Sequence, residues 1–290
     1  MANVKILTDS TCDLTADIIE RYNIGVIPLY VTLDKDSLRD GEQVAPRDLY
    51  AYFERTKKTP KTSTPTIADF TAVFEPYASR GMEIVFIGIS EAMSTTVNNA
   101  RAAAAEFPGS VIRCVNSQNL STGVGLVVLE ACELARRGLG AEQIEAALIE
   151  MVPRVRASFV LDTLTYLYHG GRCSAVQSIG SMLLRIKPRI EVVKGEMTPT
   201  EKFRGSFANV ARQYAQSALG SANPEYVRRI DPRRAFITDT VDTDRAAVDA
   251  VREEAESLHI FESVTETHAG CVITSHCGQN TIGVLFVEKP

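Results

Sequence analysis

Hydroxyl side chains gather at four points of this 290-residue chain where an apolar run gives way to a helix-like one: VKILTDSTCDL (4 to 14), KTSTPTIADF (61 to 70), EIVFIGISEAMSTTVNNA (83 to 100) and VIRCVNSQNLSTGVGL (111 to 126). The second lacks a clear strand of its own. A helix start carries free N–H groups and partial positive charge, so hydroxyls placed there make a cradle for a carboxylate or phosphate. Hydroxyls are poor acids and bases. The pattern points first to holding an anion and second to transforming one.

The other chemistry-bearing residues are few. There are four histidines, and His276 stands out because it ends the strand-like run CVITS and precedes the glycine-containing turn CGQNTIG. Six scattered cysteines form no CxxC pair, which leaves a structural metal site unsupported and favours reduced, buried thiols. GVGLVV and GLGAEQ lack the third glycine of a dinucleotide fingerprint. The chain has no GxxxxGK[ST], GxSxG or HExxH motif. A cap explains some hydroxyls more simply: Ser10 with Asp13 fits the [ST]xx[DE] pattern, and Gly170 and Gly171 fit a tight turn.

Elements that could position these residues follow from the hydrophobic periods. In the first half VKILT, GVIPLYVTL, EIVFIGI and SVIRCV alternate with helix-like ADIIERYN, RDLYAYFERTKK, TVNNARAAAAEF and GVGLVVLEACELARRG, with AEQIEAALIEMVPRVRA last. Strands alternating with helices predict a parallel sheet covered on both faces, with ligands at the carboxyl ends of its strands. The second half reads as helices around 176 to 186, 206 to 218 and 243 to 257, a hairpin PRIEVVKGEMTPTEKF, a strand RRAFITD and a closing strand pair, CVITS and IGVLFVE. The predicted fold is α/β: a Rossmann-like α/β/α domain over 1–159 and a smaller α+β domain with a mostly antiparallel sheet over 160–290.

Composition bounds the function. Hydrophobic residues make up 45% and charged residues 23%, with a net charge of −5, which disfavours nucleic-acid binding. No apolar run approaches the roughly 18 residues of a membrane span, and MANVKILTDS lacks a signal-peptide layout, so a cytoplasmic location is expected. Residues 166 to 205 reverse the charge: seven basic side chains, among them Arg172 and Arg204, face three acidic ones. Such a patch is either a solvated face or a docking surface for an acidic partner.

Taken in order, TDSTCDL, KTSTPT, ISEAMSTT, LDTLTYLYHGGRCS, IGSMLLRIKPRI and SHCGQNTIG resemble the DegV family of bacterial fatty-acid-binding proteins over nearly the whole chain. The resemblance implies a Rossmann-like domain joined to a second α/β domain with a long-chain fatty acid held between them. It also implies a separate fatty acid kinase partner that turns the carboxylate into an acyl phosphate for phospholipid synthesis, and no cofactor. Thr62, Ser94 and His276 match the family's carboxylate-binding positions, and Ser94 would cap a helix beginning at Thr95, which joins them as the fourth expected carboxylate-binding residue. Three places depart from the family pattern: Ser94, Thr95 and Thr96 stand for the usual SGT, Asn116 replaces an aspartate, and Cys277 and Gln279 differ after the histidine.

An acyl tail needs an apolar tunnel, where each buried methylene contributes about 0.8 kcal/mol. The expected lining is Ile67, Phe70, Met93, Val97, Ile179, Met182 and Leu183, with Arg172 and Arg204 outside it as partner-docking residues and at most a transient contact with a membrane surface. Two alternatives stand beside the carrier: a Ser94–His276 acyl hydrolase or acyltransferase, and a sensor of another small anion such as a sugar phosphate.

Overall fold

Strands that are apolar on both faces must be covered on both, and the chain meets this demand in layers. The computed structural model describes residues 3–177 and 186–290. The first half builds Val4–Asp9 (β1), Ala16–Tyr22 (α1), Gly25–Ile27 (β2), Tyr30–Leu33 (β3), Asp36–Arg39 (β4), Pro46–Thr56 (α2), Lys61–Ser63 (β5), Ile67–Ala78 (α3), Glu83–Gly88 (β6), Thr96–Ala104 (α4), Ile112–Asn116 (β7), Thr122–Arg136 (α5) and Ala141–Met151 (α6). The second half adds Val155–Leu161 (β8), Thr165–Gly170 (α7), Ser174–Gln177 (α8), Lys187–Val193 (β9), Glu196–Phe203 (β10), Phe207–Leu219 (α9), Pro224–Arg229 (α10), Ile230–Asp239 (β11), Arg245–Ser257 (α11), Val264–His268 (β12), Cys271–Cys277 (α12) and Thr281–Glu288 (β13).

The first sheet is parallel, in the order β2-β1-β6-β7. The second has the order β10-β9-β8-β13-β11-β12 and is antiparallel except for the β11–β12 pair. The expected architecture of a parallel sheet followed by a mostly antiparallel one is therefore what the chain adopts. The second sheet opens at Val155, so residue 159 falls inside β8.

Phe70, Phe74 and Val97 of α3 and α4 cover one face of the parallel sheet against Leu7, Ile27 and Phe86. On the other face lies α5, whose Val124, Leu126, Val127 and Val128 are all buried. One hydrophobic cluster runs through α5 from Ile6 and Val85 of the first sheet to Val155, Ala157 and Leu285 of the second. Helices α9 and α11 close the far face of the second sheet through Val210, Tyr214, Val248 and Val251.

Two departures from the sequence reading position the site. GVIPLYVTL is two strands, because Pro28 has no N–H to give a ladder. After it the chain leaves the parallel sheet, and β3 pairs antiparallel with β4 and β5. Thr62 sits opposite Val31 in that ladder, so the strand missing from KTSTPT is supplied by a partner thirty-one residues away.

CVITS, expected as a strand, is the start of α12. Its end amides are capped from the other half of the molecule: the Cys271 N–H donates to Asp40 Oδ1 at 2.8 Å and the Gly270 N–H to Asp13 Oδ1 at 2.9 Å. Ser10, expected to cap its own helix, instead donates to Asp40 Oδ2 at 2.8 Å, and Ser121 donates to Asp13 Oδ2 at 2.5 Å. Asp9 accepts from the Thr11 and Ile89 N–H groups. At the other end of α12 the chain turns at Gly278, whose φ of 74° and contact with the Tyr166 ring exclude a side chain.

Burial pushes the Asp13 carboxyl up to about 8 and that of Asp9 up to about 6, against the opposing pull of their hydrogen bonds. A carboxyl whose pKa is higher folded than unfolded stabilises most below its unfolded value and loses that contribution as pH rises through its folded one. Asp13→Asn keeps an acceptor for Gly270 but removes the titration. It is expected to reduce the loss of stability between about pH 5 and about pH 8, read from urea midpoints; an unchanged pH slope would contradict the assignment.

Candidate functional site

Three separate parts of the fold bring hydroxyl and imidazole groups to one wall. Thr62 projects from β5, Ser94 from the loop that leaves β6 at the carboxyl end of the parallel sheet, and His276 from the last turn of α12. Thr62 Oγ1 and His276 Nε2 are 2.8 Å apart. Ser94 Oγ lies 2.8 Å from Thr96 Oγ1 and accepts weakly from the Thr96 N–H at 3.3 Å. Helix α4 begins at Thr96, so Thr95 takes the cap position expected of Ser94, while the Ser94 hydroxyl still supports the first turn.

His276 is held neutral: desolvation first, then the nearby charge of Arg172, pull its pKa down to about 4. Its buried Nδ1 has no hydrogen-bond partner among the described residues. A bare lone pair is cheaper to bury than an orphaned N–H, which favours the tautomer with the proton on Nε2, donated to Thr62 Oγ1. The Thr62 hydroxyl proton is then free for an acceptor in the pocket. Gly170 makes the ring position possible, since a Cβ there would lie 2.4 Å from Nδ1.

These groups border a cavity of about 470 Å³. Its apolar wall comes from Leu29, Ile89, Met93, Leu120, Met197 and Ile273, and its polar wall includes Thr64, Glu91, Thr95 and Arg172. Glu91 is paired with Arg101. A pocket with carbon on one side and hydroxyls, helix-end amides and a guanidinium on the other suits an amphipathic anion.

Of the expected tail residues, Met93 lines the cavity. Phe70 and Val97 do not: both are fully buried beneath the parallel sheet, on the helix faces that cover it, whereas the cavity lies at the strand ends. Ile67, the first residue of α3, is 41% exposed and also falls outside the lining. Ile179, Met182 and Leu183 lie outside the described residues. Arg172, expected beyond the tunnel, borders it and donates to the Gly170 carbonyl at 2.8 Å. Arg204 is exposed after β10 and away from the cavity. Of the apolar residues that sequence reading missed, Leu29, Ile89 and Leu120 sit on loops and Met197 at a strand end, where no period marks them, and Ile273 sits on α12, which was expected to be a strand.

Two of the unusual residues have structural partners. Asn116 Oδ1 accepts from the Gln118 N–H at 2.9 Å and the Glu91 N–H at 3.3 Å, work an aspartate would also do. Cys277 is buried in the cavity wall, and burial pushes its thiol up to about 12, so it stays protonated.

Two sheets sharing a buried helix, with a pocket of mixed polar and apolar lining where the strand ends meet α12, define a mixed α/β protein. The family model described as uncharacterised protein, DegV family, matches residues 3–289, and the chain belongs to that family. It is 32% identical over 292 residues to a DegV domain-containing protein of Clostridium perfringens, covering all of both chains. Among solved structures, a DegV family protein from Thermus thermophilus described as fatty acid binding shares 30% identity at a TM-score of 0.89, covering 99% of this chain and all of that one. DegV of Bacillus subtilis, described as a fatty acid binding protein, shares 26% identity at a TM-score of 0.85 with complete coverage of both chains.

Gly170→Ala tests the packing that holds His276. The added methyl should push the ring off Thr62 and move its NMR titration midpoint from about 4 toward the ordinary 6.5 while helix content is kept. A midpoint that stays near 4 would show that Gly170 does not position the ring.

Proposed function

We propose that the chain binds a long-chain fatty acid in the cavity between its two sheets and presents the carboxylate to a separate fatty acid kinase, which forms the acyl phosphate used in phospholipid synthesis. The observation that carries this reading is the Thr62–His276 pair, a neutral imidazole and a free hydroxyl proton, at the border of an apolar cavity. Thr62, Ser94 and the amides at Thr95 and Thr96 are the carboxylate donors, and Arg172 supplies the compensating charge. The tail supplies most of the affinity, at about 0.8 kcal/mol per buried methylene, and the head group fixes orientation. The fatty acid binding ascribed to the Thermus thermophilus and Bacillus subtilis relatives supports the ligand class.

The carrier is favoured over a Ser94–His276 hydrolase by the bonding of the two side chains. Ser94 Oγ is engaged with Thr96, His276 Nε2 with Thr62, and among the described residues His276 Nδ1 meets no carboxylate that could orient it as a general base. Transfer therefore falls to the kinase, in the cytoplasm. With Arg172 at the cavity, Arg204 becomes the cleaner probe of docking.

In calorimetric titrations, Ser94→Ala should weaken a fatty acid by about 1.5 to 3 kcal/mol, the worth of a charge-assisted hydrogen bond, and the matching fatty alcohol much less. Equal losses for acid and alcohol would remove Ser94 from the head-group site. With an acyl-carboxylate kinase and ATP added, Arg204→Glu should leave fatty-acid affinity unchanged and slow acyl phosphate formation; phosphorylation at the parent rate would remove the docking role.

A further inference from the structure

Ile89 and residues 91 to 95 all border the cavity, whereas Ser90 in their midst does not and is only 1% exposed. Every polar atom of Ser90 is nevertheless engaged. Its N–H donates to the Asn119 carbonyl at 2.9 Å, and its carbonyl accepts from the Met93 and Ser94 N–H groups, each at 3.0 Å. Its hydroxyl accepts from the Ala92 N–H at 3.2 Å and donates to the Gly195 carbonyl at 2.7 Å. The loop that carries Ser94 is folded around one buried residue.

Gly195 belongs to the other half of the molecule. Strand β8 pairs with β9 only as far as Glu191, so the outer part of the β9–β10 hairpin has no β8 neighbour and its turn reaches Ser90. The two turn residues, Lys194 and Gly195, have φ of 51° and 84°, the positive values that suit a tight hairpin. A Cβ on Gly195 would lie 2.5 Å from Ser90 Oγ, so the contact needs glycine for its space as well as its backbone. Two residues further on, Met197 lines the cavity. One hydroxyl therefore joins the head-group loop to a strand of the apolar wall.

Resting on the fatty-acid reading, we propose that Ser90 is a positioning residue of the head-group site: seated against Gly195, it fixes the loop that aims the Ser94 hydroxyl at the carboxylate. Ser90 itself touches no ligand. A buried hydroxyl bonded on two sides is held in one rotamer, and without it the Ala92 N–H and the Gly195 carbonyl lose a partner that the buried surroundings do not replace. The loop then relaxes and its aim at the charged end is lost. Loosening of the hairpin and of Met197 acts on the tail, and so on an acid and an alcohol alike.

A fatty acid and its matching alcohol, titrated into the parent, Ser90→Ala, Gly195→Ala and the double variant, test the assignment through the ratio of the two affinities. That preference for acid should fall about tenfold in Ser90→Ala, the worth of a buried polar contact. Gly195→Ala, whose methyl presses on Ser90 Oγ, should lower it as well. The double variant should be no worse than Ser90→Ala, because the methyl then meets no hydroxyl. A preference kept at the parent value in folded Ser90→Ala, or in Gly195→Ala should Ser90→Ala not fold, overturns the proposal while leaving fatty-acid binding intact; so do two losses that simply multiply in the double variant. A parent that binds no fatty acid overturns the binding reading and the proposal together.

Discussion

Asp13 and Asp40 reach from the first half of the chain to the amino end of α12, and the candidate site hangs on that contact. A seven-residue helix is too short to hold itself together, because nucleation is costly and few of its backbone groups find partners within it. Three carboxyl oxygens of Asp13 and Asp40 take the N–H groups of Gly270, Cys271 and Val272, donors that a helix end leaves without partners of its own. Ser10 and Ser121 hold the two carboxylates in turn. The opposite end of the same helix carries His276. An error in the cap would propagate along α12 to the imidazole and to the Ile273 wall.

The second constraint is α5. The first two turns of α5, from Thr122 to Leu129, are buried on every side because they lie between the two sheets. The helix keeps the sheets in one continuous core, so the cavity at their ends lies between surfaces held in fixed relation. Around that cavity the hydroxyls sit at strand and helix ends, where backbone donors are free, and the carbon sits on the elements that close over them. An amphipathic anion is the ligand whose two ends match both walls.

Much of this was legible in the sequence. The parallel sheet follows from runs such as VKILTD and EIVFIG between helical periods, and the hairpin of β9 and β10 from PRIEVVKGEMTPTEKF. His276 stood out by its place after CVITS, but its grouping with Thr62 and Ser94 came only through the family resemblance, since Thr62 and His276 meet across 214 positions. The misreadings share one cause. CVITS is apolar and short enough to pass for a strand, and the groups that make it helical lie 231 positions away from it. Phe70 and Val97 have the apolar character a tunnel needs, but a helix face that covers a sheet looks the same in sequence as one that lines a cavity. Arg172 was read as a docking residue outside the tunnel, and only the packing of α7 on α12 brings it to the pocket.

The central claim is that an acyl chain occupies the space between the sheets with its carboxylate at Thr62 and His276. Native mass spectrometry of the purified protein, followed by solvent extraction, measures this most directly. The account predicts a noncovalent adduct of about one fatty acid per chain, released intact by the solvent, with occupancy lowered in a Thr62→Ala, His276→Ala double variant. A chain that carries no lipid and takes up none when fatty acid is supplied, or an acyl group that survives denaturation as a covalent adduct, would contradict it.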